Sequence, residues 1–521
     1  MTMIPTSEQP RLSRPRAVVA GFVALIVLAG AGFGLYRFVQ TLESPAGGTL
    51  PPSSLYFAPY VDLTLPPTYN FQDPTKNPSK NVVLGFVVGG GTTGCTPKWG
   101  DAYTMDQAAL RLDLDRRIVR LRQSGGQVIG SFGGAINREL AVSCSNPVAL
   151  AQAYSSIVAR YQLTTLDFDI EGSSLNNIPA SLRRATAVAT VQATQRAHGK
   201  PLNVWLTLPV TPQGLLPNAT ATIHQFLDAH VDLTGVNIMT MNYGGSRPAS
   251  VSVAQASINA ITATAQQLRS IYRVSGHTLT LPQVYAKIGV TPMIGQNSVL
   301  ADRLTIEGAT QLYNKSVELG VGRFSMWSLN RDFPCGGNAN RVIASNWCSG
   351  VVQSQLQFSN LFATRAKRLP SVASNSDGQL LGWSDAATKD KAPYEPWRQL
   401  REYIAGAKVV WNGEIYLAKW WNVGDVPDAP VDHEWNSPWI VLGPVLPVEA
   451  TTTTLPPGAA PEWVSTTSYG YGQRVERHGI VYRSSWLNKG YDPATNPDNT
   501  WLSPWTPVTP ESGSDYPSDR P

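Results

Sequence analysis

Eight short runs of apolar, β-branched and aromatic residues lie between Leu55 and Leu329, each closing in Gly, Pro or polar residues. They are LYFAPY from Leu55, VVLGFVV from Val82, QVIGSFGG from Gln127, LTTLDFDIEG from Leu163, LNVWLTLPV from Leu202, LTGVNIMTMNYG from Leu233, YAKIGVTPM from Tyr285 and GRFSMWSL from Gly322. Most of the gaps carry apolar residues at helical spacing, as in Met105 to Gln123, Pro147 to Tyr161, Leu182 to Ala197, Val251 to Ile271 and Leu304 to Leu319. Strand and helix alternating to a count of eight predicts a closed parallel (β/α)₈ TIM barrel with its helices outside. An open doubly wound sheet gives a similar alternation, but the count and the length select the barrel. The first gap, Asp62 to Asn81, shows no helical pattern.

A barrel of this size leaves much of the 521-residue chain unassigned. Ala17 to Tyr36 is twenty residues without a charge, and at about 1.5 Å rise each it is long enough to cross a hydrocarbon layer of about 30 Å. Arg11, Arg14 and Arg16 precede it, which keeps that end in the cytoplasm and puts the rest outside. A cleaved signal segment is the alternative. Either way the protein is expected on the extracellular side, membrane-anchored through this segment if it is uncleaved and secreted if it is cut. Four cysteines suit that compartment, with two local bridges, Cys95 to Cys144 and Cys335 to Cys348, expected among three possible pairings. No Cys-x-x-Cys or neighbouring His pair suggests a metal, and no cofactor is implied. The formal charge of +5 with no Lys/Arg-rich run argues against nucleic acid.

Beyond the barrel an internal repeat dominates. Trp397, Tyr403, Gly406, Val409, Gly413, Tyr416, Trp420, Trp435, Pro438 and Trp439 recur, all 66 residues later, as Trp463, Tyr469, Gly472, Val475, Gly479, Tyr482, Trp486, Trp501, Pro504 and Trp505. Each unit is too small to fold on an ordinary core, so some of these aromatics must form it. The expected order is an N-terminal tail (1–16), the anchor or signal segment (17–36), a linker (37–54), the barrel (55–365), a linker (366–392), a first module (393–446), a Thr/Pro linker (447–461), a second module (462–510) and a tail (511–521). A monomer is expected.

The chemistry points to Leu166-Asp167-Phe168-Asp169-Ile170-Glu171. Strand geometry sends alternate side chains to opposite faces, so three carboxyl groups share one face while Leu166, Phe168 and Ile170 turn toward the helices. Three like charges in a crowded barrel mouth repel, and at least one should keep its proton near neutral pH, as a general acid requires. A solvated strand face or a calcium site are the bland alternatives, and the first fits poorly with a central barrel strand.

This run resembles the signature of glycoside hydrolase family 18, the chitinase family, written Asp-x-x-Asp-x-Asp-x-Glu. Ser131-Phe132-Gly133-Gly134 matches the family's Ser-x-Gly-Gly, Met239-Thr240-Met241-Asn242-Tyr243 is similar to its Met-x-Tyr-Asp region, and Trp327 in Ser325-Met326-Trp327-Ser328 matches its barrel-floor tryptophan. The resemblance implies a chitin substrate whose own acetamido group attacks the anomeric carbon. It implies Glu171 as general acid/base, Asp169 as the group that orients the acetamide, and Asp167 sharing a proton with Asp169. Ser131, Gly133, Met241, Asn242, Tyr243 and Trp327 are the implied substrate contacts, with Tyr243 bonding the acetamido oxygen. Thr164 and Asn242 depart from the pattern, each replacing an aspartate. The α+β insertion of deep-cleft members has no room between Thr291 and Leu304, which implies an open groove and cleavage within chains.

The repeats resemble chitin-binding modules of carbohydrate-binding families 5 and 12, which implies indole faces stacked on sugar rings. Tyr416, Trp420, Trp421, Tyr482 and Trp486 are the expected contacts, with Trp435, Trp439, Trp501 and Trp505 as core. A silent chitin-binding lectin, an endo-β-N-acetylglucosaminidase acting on glycoprotein glycans and a surface adhesin are the rival readings.

Overall fold

A computed structural model describes residues 55–90, 94–336, 343–366, 394, 396–446, 460–470, 473–478, 480–484, 487–494 and 503–507. The segments expected at 1–16, 17–36, 37–54 and 511–521, nearly all of both later linkers, and Trp486 and Trp501 lie outside these residues. Among the described residues no helix is long and apolar enough to cross a membrane.

The second to seventh barrel strands are Asn81–Gly90, Gln127–Gly133, Thr165–Asp169, Asn203–Thr211, Leu233–Thr240 and Ile288–Pro292, and the eighth is Arg323–Phe324. They pair in parallel, each with the next. The first strand is split at Ala58-Pro59, because proline lacks an N–H for the ladder. Its first piece, Tyr56–Phe57, pairs with the eighth strand, and its second, Tyr60–Asp62, pairs with the second. Backbone bonds from Ala58 to Phe324, Tyr60 to Met326 and Val83 to Pro59 carry the closure across the split.

Each helix of the outer layer has local causes. Asn146 caps Pro147–Tyr161 by accepting from the backbone of Val148 and Ala149, with proline in the first turn where its missing N–H costs nothing. Thr305 caps Ile306–Leu319, and Gly320 ends it at a φ of 77°. Ser252 caps the long helix Val253–Val274. Between the first and second strands the described residues form turns and no helix. The helices cover the outward face of the sheet, where Phe168 stacks on Phe132 and meets Tyr154 and Phe226. Phe168 has no solvent exposure, and burying such a ring contributes about 1.5–3 kcal/mol.

The loops at the strand ends are pinned by two disulfides, Cys95–Cys144 and Cys335–Cys348. Between the seventh and eighth strands only a hairpin, Gly295–Gln296 with Arg303–Leu304, precedes the next helix.

The two repeats share one architecture. The first has a three-stranded antiparallel sheet, Lys408–Trp411, Glu414–Ala418 and Trp439–Pro444, with a separate pair, Glu402–Tyr403 and Asn422–Val423. The second repeats it with Arg474–Arg477, Ile480–Ser484 and Trp505–Pro507, and with Ser468–Tyr469 and Asn488–Lys489. Tyr403 meets Trp439 edge-on at 5.2 Å, as Tyr469 meets Trp505 at 5.1 Å. The buried indoles donate to equivalent carbonyls, Trp439 Nε1 to Asp425 and Trp505 Nε1 to Tyr491.

Three expectations are corrected here. Tyr416 and Tyr482 lie in the module cores, packed with Val409 and Val475, because each sits mid-strand on the face that carries its module's buried aromatic cluster. They offer no ring to a ligand. Trp435, expected as core, is 70% exposed and stacks on His433 at 4.3 Å. Trp420 and Trp421 are 44% and 53% exposed.

Candidate active site

The functional side chains gather at the C-terminal ends of the strands, the face that carries the reactive loops in barrels of this kind. The fourth strand ends at Asp169, but the backbone stays extended to Glu171, with Ile170 N–H bonding to Thr207 O at 3.0 Å. Alternation therefore continues to Glu171, and Asp167, Asp169 and Glu171 share the inward face while Leu166, Phe168 and Ile170 enter the outer core.

Asp167 is fully buried and saturated. Its Oδ2 accepts from Tyr60 Oη at 2.8 Å and Ser131 Oγ at 2.7 Å; its Oδ1 accepts from Thr207 Oγ1 at 2.7 Å and Arg323 Nη1 at 2.6 Å. Register brings these donors in, since Ser131 lies directly opposite Asp167 and Thr207 opposite Asp169 on the flanking strands. A carboxylate that already faces a guanidinium has no place for a calcium ion, which disposes of that alternative.

Asp169 is the opposite case. It is 5% exposed, and its Oδ1 has no hydrogen-bond partner. Burial raises its pKa well above the usual carboxylate range, the neighbouring charges of Glu171 and Asp167 raise it further, and Arg323 offsets part of this. Burial also raises the Glu171 carboxyl. The mouth thus holds a proton among acidic groups at pH values where free carboxyls have lost theirs.

Gly133 is required by shape. At its φ of 105° a Cβ would sit 2.1 Å from Asp169 O, and the next residue, Gly134, donates its N–H to that same oxygen at 3.0 Å. The glycine pair lets the third strand grip the backbone that carries Asp169.

Trp327 follows the eighth strand and stacks on Phe86 at 5.6 Å, with Tyr60 at 6.1 Å from both rings. Because Tyr60 also bonds Asp167, the aromatic floor and the carboxylates form one continuous group.

The sixth strand departs from expectation. Tyr243 is buried with its hydroxyl donating to Ser257 Oγ at 3.1 Å on the outer helix Val253–Val274. It points into the layer behind the sheet and is not the acetamide contact. Asn242, at a φ of 53°, is exposed and tied to the loop after the seventh strand, through its N–H to Asn297 Oδ1 and its Oδ1 to Val299 N–H. Met241, partly buried, completes the strand end without a polar group. Sequence reasoning missed Tyr60, Phe86, Thr207, Asn237 and Arg323. For Arg323 a signal existed, because a lone cation inside the apolar run GRFSMWSL needs an anion in the barrel interior.

No family model matches the chain. The chain is 35% identical over 322 residues to the "Probable bifunctional chitinase/lysozyme" of Escherichia coli strain K12, a match that takes in 60% of this chain and 34% of that protein. It is 34% identical over 286 residues to "Endochitinase 11" of Metarhizium anisopliae, taking in 53% of this chain and 52% of that one. The chain therefore spans about a third of the first relative and about half of the second. Among solved structures, the catalytic domain of the hyperthermophilic chitinase from Pyrococcus furiosus is 27% identical, with a TM-score of 0.51, and covers 60% of this chain and 96% of its own. Catalytic-site mutants of active domain 2 of the Pyrococcus furiosus chitinase match at 26% identity with the same TM-score and coverage. Over the barrel, this chain is similar to chitinase catalytic domains. At the strand ends of this barrel the three carboxyls of the fourth strand face inward, while the sixth-strand Tyr243 does not.

Proposed function

We propose that the barrel is a chitinase that cleaves β-1,4-linked N-acetylglucosamine chains internally, with the substrate's acetamido oxygen as nucleophile. The observation that carries this reading is the contrast between Asp167, which has no bonding capacity left, and Asp169, which is buried with one oxygen unpartnered beside Glu171.

An acetamide N–H entering the mouth needs an acceptor, and Asp169 becomes a charged, stronger one by giving up its proton to Glu171. Glu171 then protonates the glycosidic oxygen as the C1–O bond breaks, while the acetamido oxygen closes onto C1 from the opposite side. The resulting oxazolinium cation is stabilised by the Asp169 carboxylate that accepts its N–H. Glu171, now ionised, takes a proton from water as that water attacks C1, which returns the proton to the pair and retains the anomeric configuration. The stacked Trp327 and Phe86 give the sugar an apolar floor.

The short hairpin after the seventh strand supports an open groove. Exposed Trp420, Trp421 and Trp435 support polysaccharide binding by the first module, and Trp486 is the proposed counterpart in the second. Export is supported by the Arg-flanked apolar segment at 17–36 and by two disulfides, whether that segment is cleaved or retained.

Residues 44–521 incubated with an N-acetylglucosamine hexamer should release shorter oligomers whose new ends are initially β, read by mass and by proton NMR. Glu171→Gln should lower kcat by about 10²–10⁴-fold with an unchanged melting temperature. A variant that keeps half of the wild-type rate sinks the assignment.

A further inference from the structure

Arg323 lies in the barrel interior with no solvent exposure. Its Nη1 donates to Asp167 Oδ1 at 2.6 Å, its Nη2 to Tyr60 Oη at 3.2 Å and its Nε to Ser325 Oγ at 3.0 Å. Its guanidinium lies over the rings of Tyr60 and Trp205, at 5.7 Å and 5.5 Å. Asp167 is therefore its only anionic contact among the described residues.

This changes what Asp167 can do. An arginine donates and never accepts, and neutralising its buried partner would strand an uncompensated cation in the interior. Two of the other three donors to Asp167, Tyr60 and Thr207, are held as well. Asn237 Nδ2 bonds Thr207 Oγ1 at 2.9 Å and Tyr60 Oη at 3.3 Å, and Thr291 Oγ1 bonds Asn237 Oδ1 at 2.9 Å, so strands one, five, six and seven brace the cluster. Asp169 Oδ1 has no hydrogen-bond partner.

We propose that Arg323 is a positioning residue that holds Asp167 as a permanent anion and so confines the working proton to the Asp169–Glu171 pair. Sharing of that proton between Asp167 and Asp169, which the sequence pattern implies, does not take place in this chain. The inference rests on the hydrolase reading above, but its first test does not require turnover.

The charged and titratable groups around the cluster are Tyr56 and Tyr60 from the first strand, Arg323 from the eighth, and Asp169 and Glu171 from the fourth. Among these, Arg323 alone favours the ionised form of Asp169. Removing its charge must make the pair hold its proton to higher pH, so both limbs of the rate profile move in the alkaline direction.

Thermal unfolding at neutral pH provides the first test. Arg323→Met should lower the melting temperature or abolish folding, and adding Asp167→Asn should restore most of the loss by removing the stranded anion. A double variant no more stable than the single one overturns the lock, whether or not the protein cleaves chitin. The second test is the pH dependence of kcat/KM on a soluble chito-oligosaccharide. Arg323→Gln should move both limbs upward by about one pH unit or more, while Arg323→Lys should leave them in place. Limbs unmoved in Arg323→Gln, with only a lower rate, reduce Arg323 to a structural role and overturn the proposal. A wild-type protein that cleaves no oligosaccharide overturns the hydrolase reading and leaves the stability test to judge the ion pair.

Discussion

Neighbouring carboxyls two residues apart on one strand have opposite electrostatic fates here. Asp167 meets four donors, whereas Asp169 is buried with an oxygen unpartnered and its pKa raised. The cost of Asp169 to the fold follows from linkage. Between the ordinary carboxyl value of about 4 and its own raised value, the native protein binds a proton that the unfolded chain has lost, so this residue's contribution makes stability fall as pH rises. Asp169→Asn removes the titration. The variant should melt a few degrees above wild type at pH 7 and show little or no gain near pH 4, with hydrolysis lost. Equal gains at both pH values would mean that the side chain is not carrying a buried proton. Tyr243 shows the limit of motif matching at this scale, since its place beside Asn242 suggested a substrate contact and its hydroxyl instead serves Ser257 behind the sheet.

At the scale of elements, the first module is joined to the barrel by a built interface. Asp113, at the junction of helices Met105–Leu112 and Leu114–Gln123, accepts from Lys408 Nζ at 2.7 Å and Arg116 Nε at 3.0 Å. Arg116 Nη1 also donates to Pro444 O at 3.1 Å, and Gln72 Nε2 to Val441 O at 3.3 Å. Gly443 is needed where the two backbones meet, because a Cβ there would sit 2.5 Å from Arg116 O. The repeat supplies its own control. Arg474 stands in the place of Lys408 and is exposed, and Thr509 stands in the place of Gly443. Burial pushes the Asp113 carboxyl up, but Lys408 and Arg116 outweigh it and hold it below the usual value. Its stabilising contribution is therefore complete above about pH 4 and is lost as pH falls through the lowered value. Asp113→Ala strands two buried cations and should cost about 3–5 kcal/mol, read as a lower melting temperature and faster amide exchange in Lys408–Trp411. An unchanged exchange rate would show that the contact does not fix the module.

For the whole molecule, the role proposed for the modules is concentration at a surface. Exposed indoles at Trp420, Trp421 and Trp435 belong to the first repeat, and a second binding unit on the same chain gains from effective concentration, raising avidity by about 10²-fold or more. Deleting residues 449–521 should reduce retention on chitin beads by about that factor while leaving the rate on soluble oligomers unchanged. Retention equal to that of the full chain would show that the second repeat is not a binder.

Strand count, the three inward carboxyls and the duplication were legible in the residue order, because each depends on local periodicity: two residues for a strand, about 3.6 for a helix, and a constant offset for a repeat. The partners of those carboxyls were not. Arg323 lies 156 positions from Asp167 and Tyr60 lies 107, and only closure of the sheet between its first and eighth strands puts both beside the fourth strand's acids. Burial of Tyr416 and Tyr482, and exposure of Trp435, follow the same logic. Which aromatic is core depends on where the sheet folds over, a property of packing that no pattern along one strand contains.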